Sequence, residues 1–93
     1  MPIRKEKLTT ELKQIAVYDE NRVVLLIQNL HTSNNVYITD RPKDEADTPY
    51  FLLAPRESIV FMRELGDEPQ IAYYAKADGD TDITIIESFK RGE

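Results

Sequence analysis

The chain has 93 residues, 41% of them hydrophobic, a net charge of −5 and no cysteine. That length holds one domain with a packed core. It leaves no disulfide, thiolate metal site or thiol nucleophile, and no run of about 18 apolar residues long enough for a membrane helix. The acid excess lies in residues 32–93, whereas residues 1–31 are nearly balanced. An acidic body repels phosphate backbones, so nucleic acid is not expected as a partner, and with no apolar span no membrane association is expected either. The opening MPIRKEKLTTELKQ is charged and lacks the apolar block of a secretory signal, and the absence of cysteine fits synthesis in a reducing cytoplasm.

Residues 1–15 read as an extended arm and residues 16–90 as the core of a single domain spanning 1–93. The basic RKEK of the arm is a solvated terminus or a contact for an acidic partner. In LTTELKQIAVY (8–18), Leu8, Leu12 and Ile15 have helical spacing, whereas IAVY has strand character. A mostly extended segment ending in a strand is favoured, with helix as the alternative.

From residue 22 onward, β-like runs alternate with turn signals. The runs are RVVLLIQNL (22–30), NVYIT (35–39), YFLLA (50–54), SIVFMREL (58–65), IAYYAKA (71–77) and DITIIESF (82–89). Val, Ile, Tyr, Phe and Thr gather in the runs, and Gly, Pro, Asn and Asp sit between them. This spacing predicts an all-β fold, an antiparallel sandwich or barrel. The charged span DRPKDEADTP (40–49) is expected to be a mobile surface loop.

Little in these runs carries chemistry. His31 is the only histidine, in the turn NLHTSNN beside Ser33, with no acid placed to orient it. It reads as a solvated turn residue, and no catalytic residue, metal site or cofactor is expected. Asp78, Asp80 and Asp82 alternate in DGDTD as in calcium loops. The EF-hand positions for Gly and Glu are here Ile83 and Phe89, so a plain Asp-Gly hairpin turn is favoured and weak calcium binding stays open. No carboxylate pair stands out as a glycosidase dyad. Of the adjacent Tyr73 and Tyr74, alternation places Tyr73 with Ile71, Ala75 and Ala77, and Tyr74 outward with Lys76.

The runs are apolar on both sides. Val23, Leu25 and Ile27 form one side of the first, Val24 and Leu26 the other. Ile59, Phe61 and Leu65 oppose Val60 and Met62, and Ile83, Ile85 and Phe89 oppose Ile86. A sandwich strand needs only one apolar face. The surplus predicts an interface formed by Val24, Leu26, Val60, Met62, Tyr74 and Ile86, with the arm 1–15 as a second contact that could add a strand to a neighbour. A homo-oligomer or repeated subunit is expected. A carbohydrate-binding module is the alternative, with Tyr74, and Tyr37 or Tyr50, as stacking aromatics.

The order of three motifs adds a family resemblance. NRVVLLIQNLHTSNNVYI (21–38), FLLAPRESIVFM (51–62) and IAYYAKADGDTDITIIES (71–88) together resemble small β-sandwich structural proteins of tailed bacteriophages and prophages. The resemblance covers residues 20–89. It implies a jelly-roll-type sandwich, made in a host cytoplasm and located in the virion. Such a protein would bind major capsid or tail subunits as a decoration, cement or accessory part. It also implies structural roles for Arg22, at a strand entry, and for Asn29, bonding the turn backbone. Two loops depart from the pattern. The charged 40–49 replaces a glycine-rich connection, and Pro55-Arg56-Glu57 replaces a glycine-containing turn.

Overall fold

The computed structural model describes residues 2–90; Met1 and residues 91–93, the ends of the expected 1–93 domain, lie outside them. Among the described residues eight strands form: β1 (Ile3–Leu8), β2 (Lys13–Ala16), β3 (Arg22–Asn29), β4 (Val36–Thr39), β5 (Phe51–Leu53), β6 (Ser58–Met62), β7 (Tyr73–Ala77) and β8 (Thr81–Phe89). They make two antiparallel four-stranded sheets, β1-β8-β3-β6 and β2-β7-β4-β5. The first is called the outer-row sheet below and the second the tyrosine sheet. Only β4 and β5 are joined within one sheet. Every other connection carries the chain across the sandwich.

Alternation explains the core. In β3, Leu25, Ile27 and Asn29 are buried while Val24, Leu26 and Gln28 are only partly covered. In β8, Ile83, Ile85 and Glu87 face inward. Tyr73, Ala75 and Ala77 of β7 are buried as alternation requires, and the Tyr73 ring stacks on Phe61 of β6 at 4.8 Å. Leu8 and Ile15 complete the core from β1 and β2.

Several expectations are corrected. The segment expected as a free arm, 1–15, supplies the edge strand β1 and the start of β2. β1 pairs with β8 from Ile3 opposite Ile86 to Leu8 opposite Thr81, and burial of Leu8 fixes it there. Residues 13–16 are a strand, as the extended reading of 8–18 expected. The run 58–65 stops at Met62, and Arg63–Leu65 is a 3-10 turn closed by Gly66 at φ 87. Leu65 therefore leaves the Ile59–Phe61 side and is exposed. The Asp78-Gly79 turn is not a hairpin. β7 is already flanked by β2 and β4, and β8 by β1 and β3, so the turn links two sheets. The loop 40–49 lies on the surface and is tethered by an ion pair from Asp44 to Lys76 of β7, 2.8 Å.

Candidate functional site

The register of the outer-row sheet gathers most of the expected contact residues. Ile3 lies opposite Ile86, Ile86 opposite Leu26, and Leu26 opposite Val60. Paired residues in an antiparallel sheet point to the same face. One aliphatic row therefore crosses all four strands on the side away from the core. Beside it, Val24 of β3 lies opposite Met62 of β6 and Ser88 of β8. On the other side the face turns polar, with Gln28 opposite Ser58 and Thr84, and Thr84 opposite Lys5. Val60 is 41% exposed and Ile3 67%, while Val24, Leu26, Met62 and Ile86 are half-buried by one another.

Five of the six residues expected at an interface thus share one face. Tyr74 does not join them. It is on β7 of the tyrosine sheet, opposite Gln14 and Thr39. Ile3 belongs to the row and was missed, because its strand was read as an arm. Its signal was the single aliphatic opening an otherwise charged alternation, Ile-Arg-Lys-Glu-Lys.

A second cluster occupies the tyrosine sheet. Tyr37 and Tyr50 meet edge to face, 6.2 Å apart with planes at 78°. Lys76 Nζ stands 4.8 Å from the Tyr50 ring centroid and pairs with Asp44, whose carboxylate also accepts from the Tyr50 hydroxyl. Asp78 accepts from Asn35 N–H and from Tyr37 Oη–H, both at 2.9 Å. A cleft of about 400 Å³ is lined by Thr10, Tyr37, Tyr50, Lys76, Ala77 and Asp78. The hydrogen bond from Lys76 holds the Asp44 carboxyl below its ordinary range, and that from Asn35 does the same for Asp78. The hydrogen bond to Asp78 raises the Tyr37 hydroxyl, and burial raises that of Tyr50.

A third cluster is ionic and runs from the buried Arg22 and Glu87 out to the exposed Lys13 on the β1/β2 side of the sandwich. Glu87 receives Arg22 Nε at 2.9 Å on one oxygen and Arg4 Nε at 3.0 Å on the other. Glu6 continues the chain of charges, accepting Arg4 Nη1 at 2.9 Å and Lys13 Nζ at 2.8 Å. Arg22 is 1% exposed, more buried than a strand-entry role requires, and its Nη1 donates to the Pro69 carbonyl.

The turn residues are structural in their contacts. His31 Nδ1 accepts the backbone N–H groups of Ser33, 3.0 Å, and Asn34, 2.8 Å. That ring nitrogen, the one near Ser33 Oγ, is occupied in holding the turn. Asn29 is fully buried and does bond the turn backbone. It donates to the carbonyls of Asn34 and Leu53 and accepts from His31 N–H. Asp78, Asp80 and Asp82 do not converge: Asp78 turns to Asn35 and to Tyr37 of β4, and Asp82 to Lys5. Among the described residues no group of three or more His, Asp or Glu is placed to hold a metal ion, and no helix is long and apolar enough to cross a membrane. No family model, no curated protein and no solved structure matches this chain.

Proposed function

We propose that this chain is a non-enzymatic virion structural protein, a decoration, cement or accessory subunit that binds capsid or tail proteins through the outer-row sheet. The observation that carries this reading is the row Ile3–Ile86–Leu26–Val60, flanked by Val24 and Met62, on a face turned away from the core. Covering one such aliphatic side chain fully is worth about 1.5–3 kcal/mol, so several half-covered ones can offset much of the cost of docking. The fold is read as a jelly roll. Its support is the nested pairing of β1 with β8, β2 with β7, β3 with β6 and β4 with β5, as when a long antiparallel hairpin is rolled up. Capsid domains are among the users of that architecture, and the resemblance to tailed-phage sandwich proteins points the same way.

The test is co-sedimentation with shells and tails assembled from the virion proteins of the same genome. The wild-type chain should pellet with one of them. Leu26→Glu should weaken the association by about tenfold or more, the equivalent of one lost buried aliphatic. A chain that ignores every such particle sinks the reading.

The carbohydrate-binding alternative draws on Tyr37, Tyr50, Asp44 and Asp78 around the 400 Å³ cleft. A ring angle of 78° gives no flat stacking platform, and both carboxylates are already bonded within the protein. A glycan array with specific hits would revive it.

A further inference from the structure

The four sheet edges differ in how they treat a stranger. β1 and β6 bound one sheet, β2 and β5 the other. A free edge offers unpaired N–H and C=O groups to any other strand, and soluble proteins blunt it with charge, proline, irregularity or short length. β5 has only three residues, and β2 has four with a register break between Gln14 and Ala16. β1 is guarded by charge. Two copies that extend one sheet antiparallel must pair residues of the same face, so the paired numbers share parity. On β1, such registers set Arg4 on Arg4, Lys5 on Lys5, Glu6 on Glu6 or Lys7 on Lys7 of the other copy. Each opposes like charges at its centre, and the Lys5 register offsets this only by setting Arg4 against Glu6. β6 reads Ser-Ile-Val-Phe-Met, with no charge, no proline and no break in its pairing to β3.

The backbone of β6 selects a register. Asn29 N–H donates to the Glu57 carbonyl at 2.9 Å, one step beyond the Gln28–Ser58 pair. By alternation the groups of Ile59 and Phe61 turn to β3, and those of Ser58, Val60 and Met62 turn outward. Met62 confirms the direction: its N–H donates to Asp67 Oδ2 at 3.0 Å and its carbonyl accepts from Asp67 N–H at 3.2 Å. Asp67 thus closes the edge at Met62. Ser58 and Val60 keep outward groups that have no partner among the described residues.

We propose that a second copy of this chain docks on this edge, β6 against β6, antiparallel and centred on Ile59. Each Ser58 then faces Val60 of the other copy, and each such pair exchanges both of its N–H···O=C bonds. No group taken by Asp67 is needed. The flank adds apolar cover. Phe51 and Leu52 are exposed on β5, and an apolar cleft of about 300 Å³ lined by residues including Phe51, Phe61 and Tyr73 lies beside β6. The dimer joins the two outer-row sheets into one. It uses the edge and leaves the outer face open, so it stands or falls separately from the virion reading.

Sedimentation of the purified chain at tens of micromolar tests it. A species of twice the 10.8 kDa chain mass is expected. Val60→Pro removes an outward N–H while sparing the bonds to β3, and should weaken the dimer by about tenfold or more with the β-sheet circular dichroism retained. Leu26→Glu, on the outer face, should leave the dimer intact. Ile59→Cys gives an independent reading that survives any folding defect of the proline variant. Residues opposite in a non-hydrogen-bonded pair lie about 4.5 Å apart at Cα, within disulfide reach. The natural chain has no cysteine, so oxidation of Ile59→Cys should yield a single cross-linked dimer. A wild-type monomer at these concentrations, or failure of Ile59→Cys to cross-link, overturns the proposal.

Discussion

Arg22 and Glu87 form an ion pair inside the sandwich: Arg22 Nε donates to Glu87 Oε2 at 2.9 Å, with the residues 1% and 7% exposed. The two members are not equivalent. Glu87 has a second cation in Arg4, whereas the Arg22 side chain has only Glu87 as its ionic partner among the described residues. Removing one member of a buried pair costs about 3–5 kcal/mol when the other is left uncompensated. Glu87→Gln should therefore destabilise by about 3 kcal/mol, and Arg22→Met, which leaves Glu87 paired to Arg4, by less. Urea unfolding followed by circular dichroism measures both, and equal losses would contradict this asymmetry.

Asn29 ties three elements at once, since its side chain bonds the turn at His31 and Asn34 and the carbonyl of Leu53 in β5. Asn29→Ala strands these groups and should cost about 1–3 kcal/mol. Asn29→Asp should cost at least as much at neutral pH, because a carboxylate cannot donate to the two carbonyls. Thermal unfolding of the two variants gives the comparison.

Arg56 sits at φ 68, in the left-handed region. Ala54-Pro55-Arg56-Glu57 closes with Glu57 N–H on the Ala54 carbonyl, 3.0 Å, and the proline and the positive φ place Arg56 at the third position of a type II turn. Glycine is the residue that this position favours. Arg56→Gly should stabilise by about 0.5–1 kcal/mol, the relief of strain less the greater freedom of the unfolded chain, and Arg56→Ala should not. A lower denaturant midpoint for Arg56→Gly would count against this account.

Stability should fall at both extremes of pH for identified reasons. The N–H of Asn35 and the Tyr37 hydroxyl hold Asp78 below its ordinary 3.8, and Lys13 does the same for Glu6. A depressed folded value stabilises above the unfolded one and is lost as pH falls through the folded value. The melting temperature should therefore drop below about pH 4, less steeply in Asp78→Asn. Burial pushes the Tyr73 hydroxyl from 10.0 up to about 12, with Glu68 nearby adding to the effect. Its contribution is present below pH 10 and is lost as pH rises from 10 to 12. Tyr73→Phe should soften the alkaline loss, which melting curves across that range would show.

Strand positions from Val24 onward were largely legible because burial there follows period two, whereas the register shift between Arg22 and Val24 buries Arg22 out of that period and the run from Ser58 ends early at Met62. Leu25 and Ile27 went in, Val24 and Leu26 stayed out, and Tyr73 parted from Tyr74 as alternation required. β1 was not legible. Its inward positions include Arg4 and Glu6, whose partners Glu87 and Lys13 lie elsewhere in the chain, so the usual apolar signal is absent. Tyr74 was grouped with the wrong sheet because alternation tells inside from outside and nothing about which layer a strand joins. The same gap hid the crossing at Asp78-Gly79: a turn signal marks where the chain bends, and only the pairing of distant strands decides where it goes next.

The pairing of β1 with β8 has a consequence for synthesis. Arg4 and Glu87, bonded at 3.0 Å, are separated by 83 positions, and the ladder around them needs both strands at once. On the ribosome β1 emerges before β8 and must wait, unzipped, until β8 has been made. Such long-range closure is intrinsically slow, in the millisecond-to-second range for all-β domains. Charge of the kind carried by Ile-Arg-Lys-Glu-Lys, which made this strand hard to recognise, disfavours pairing with other exposed strands while the segment waits.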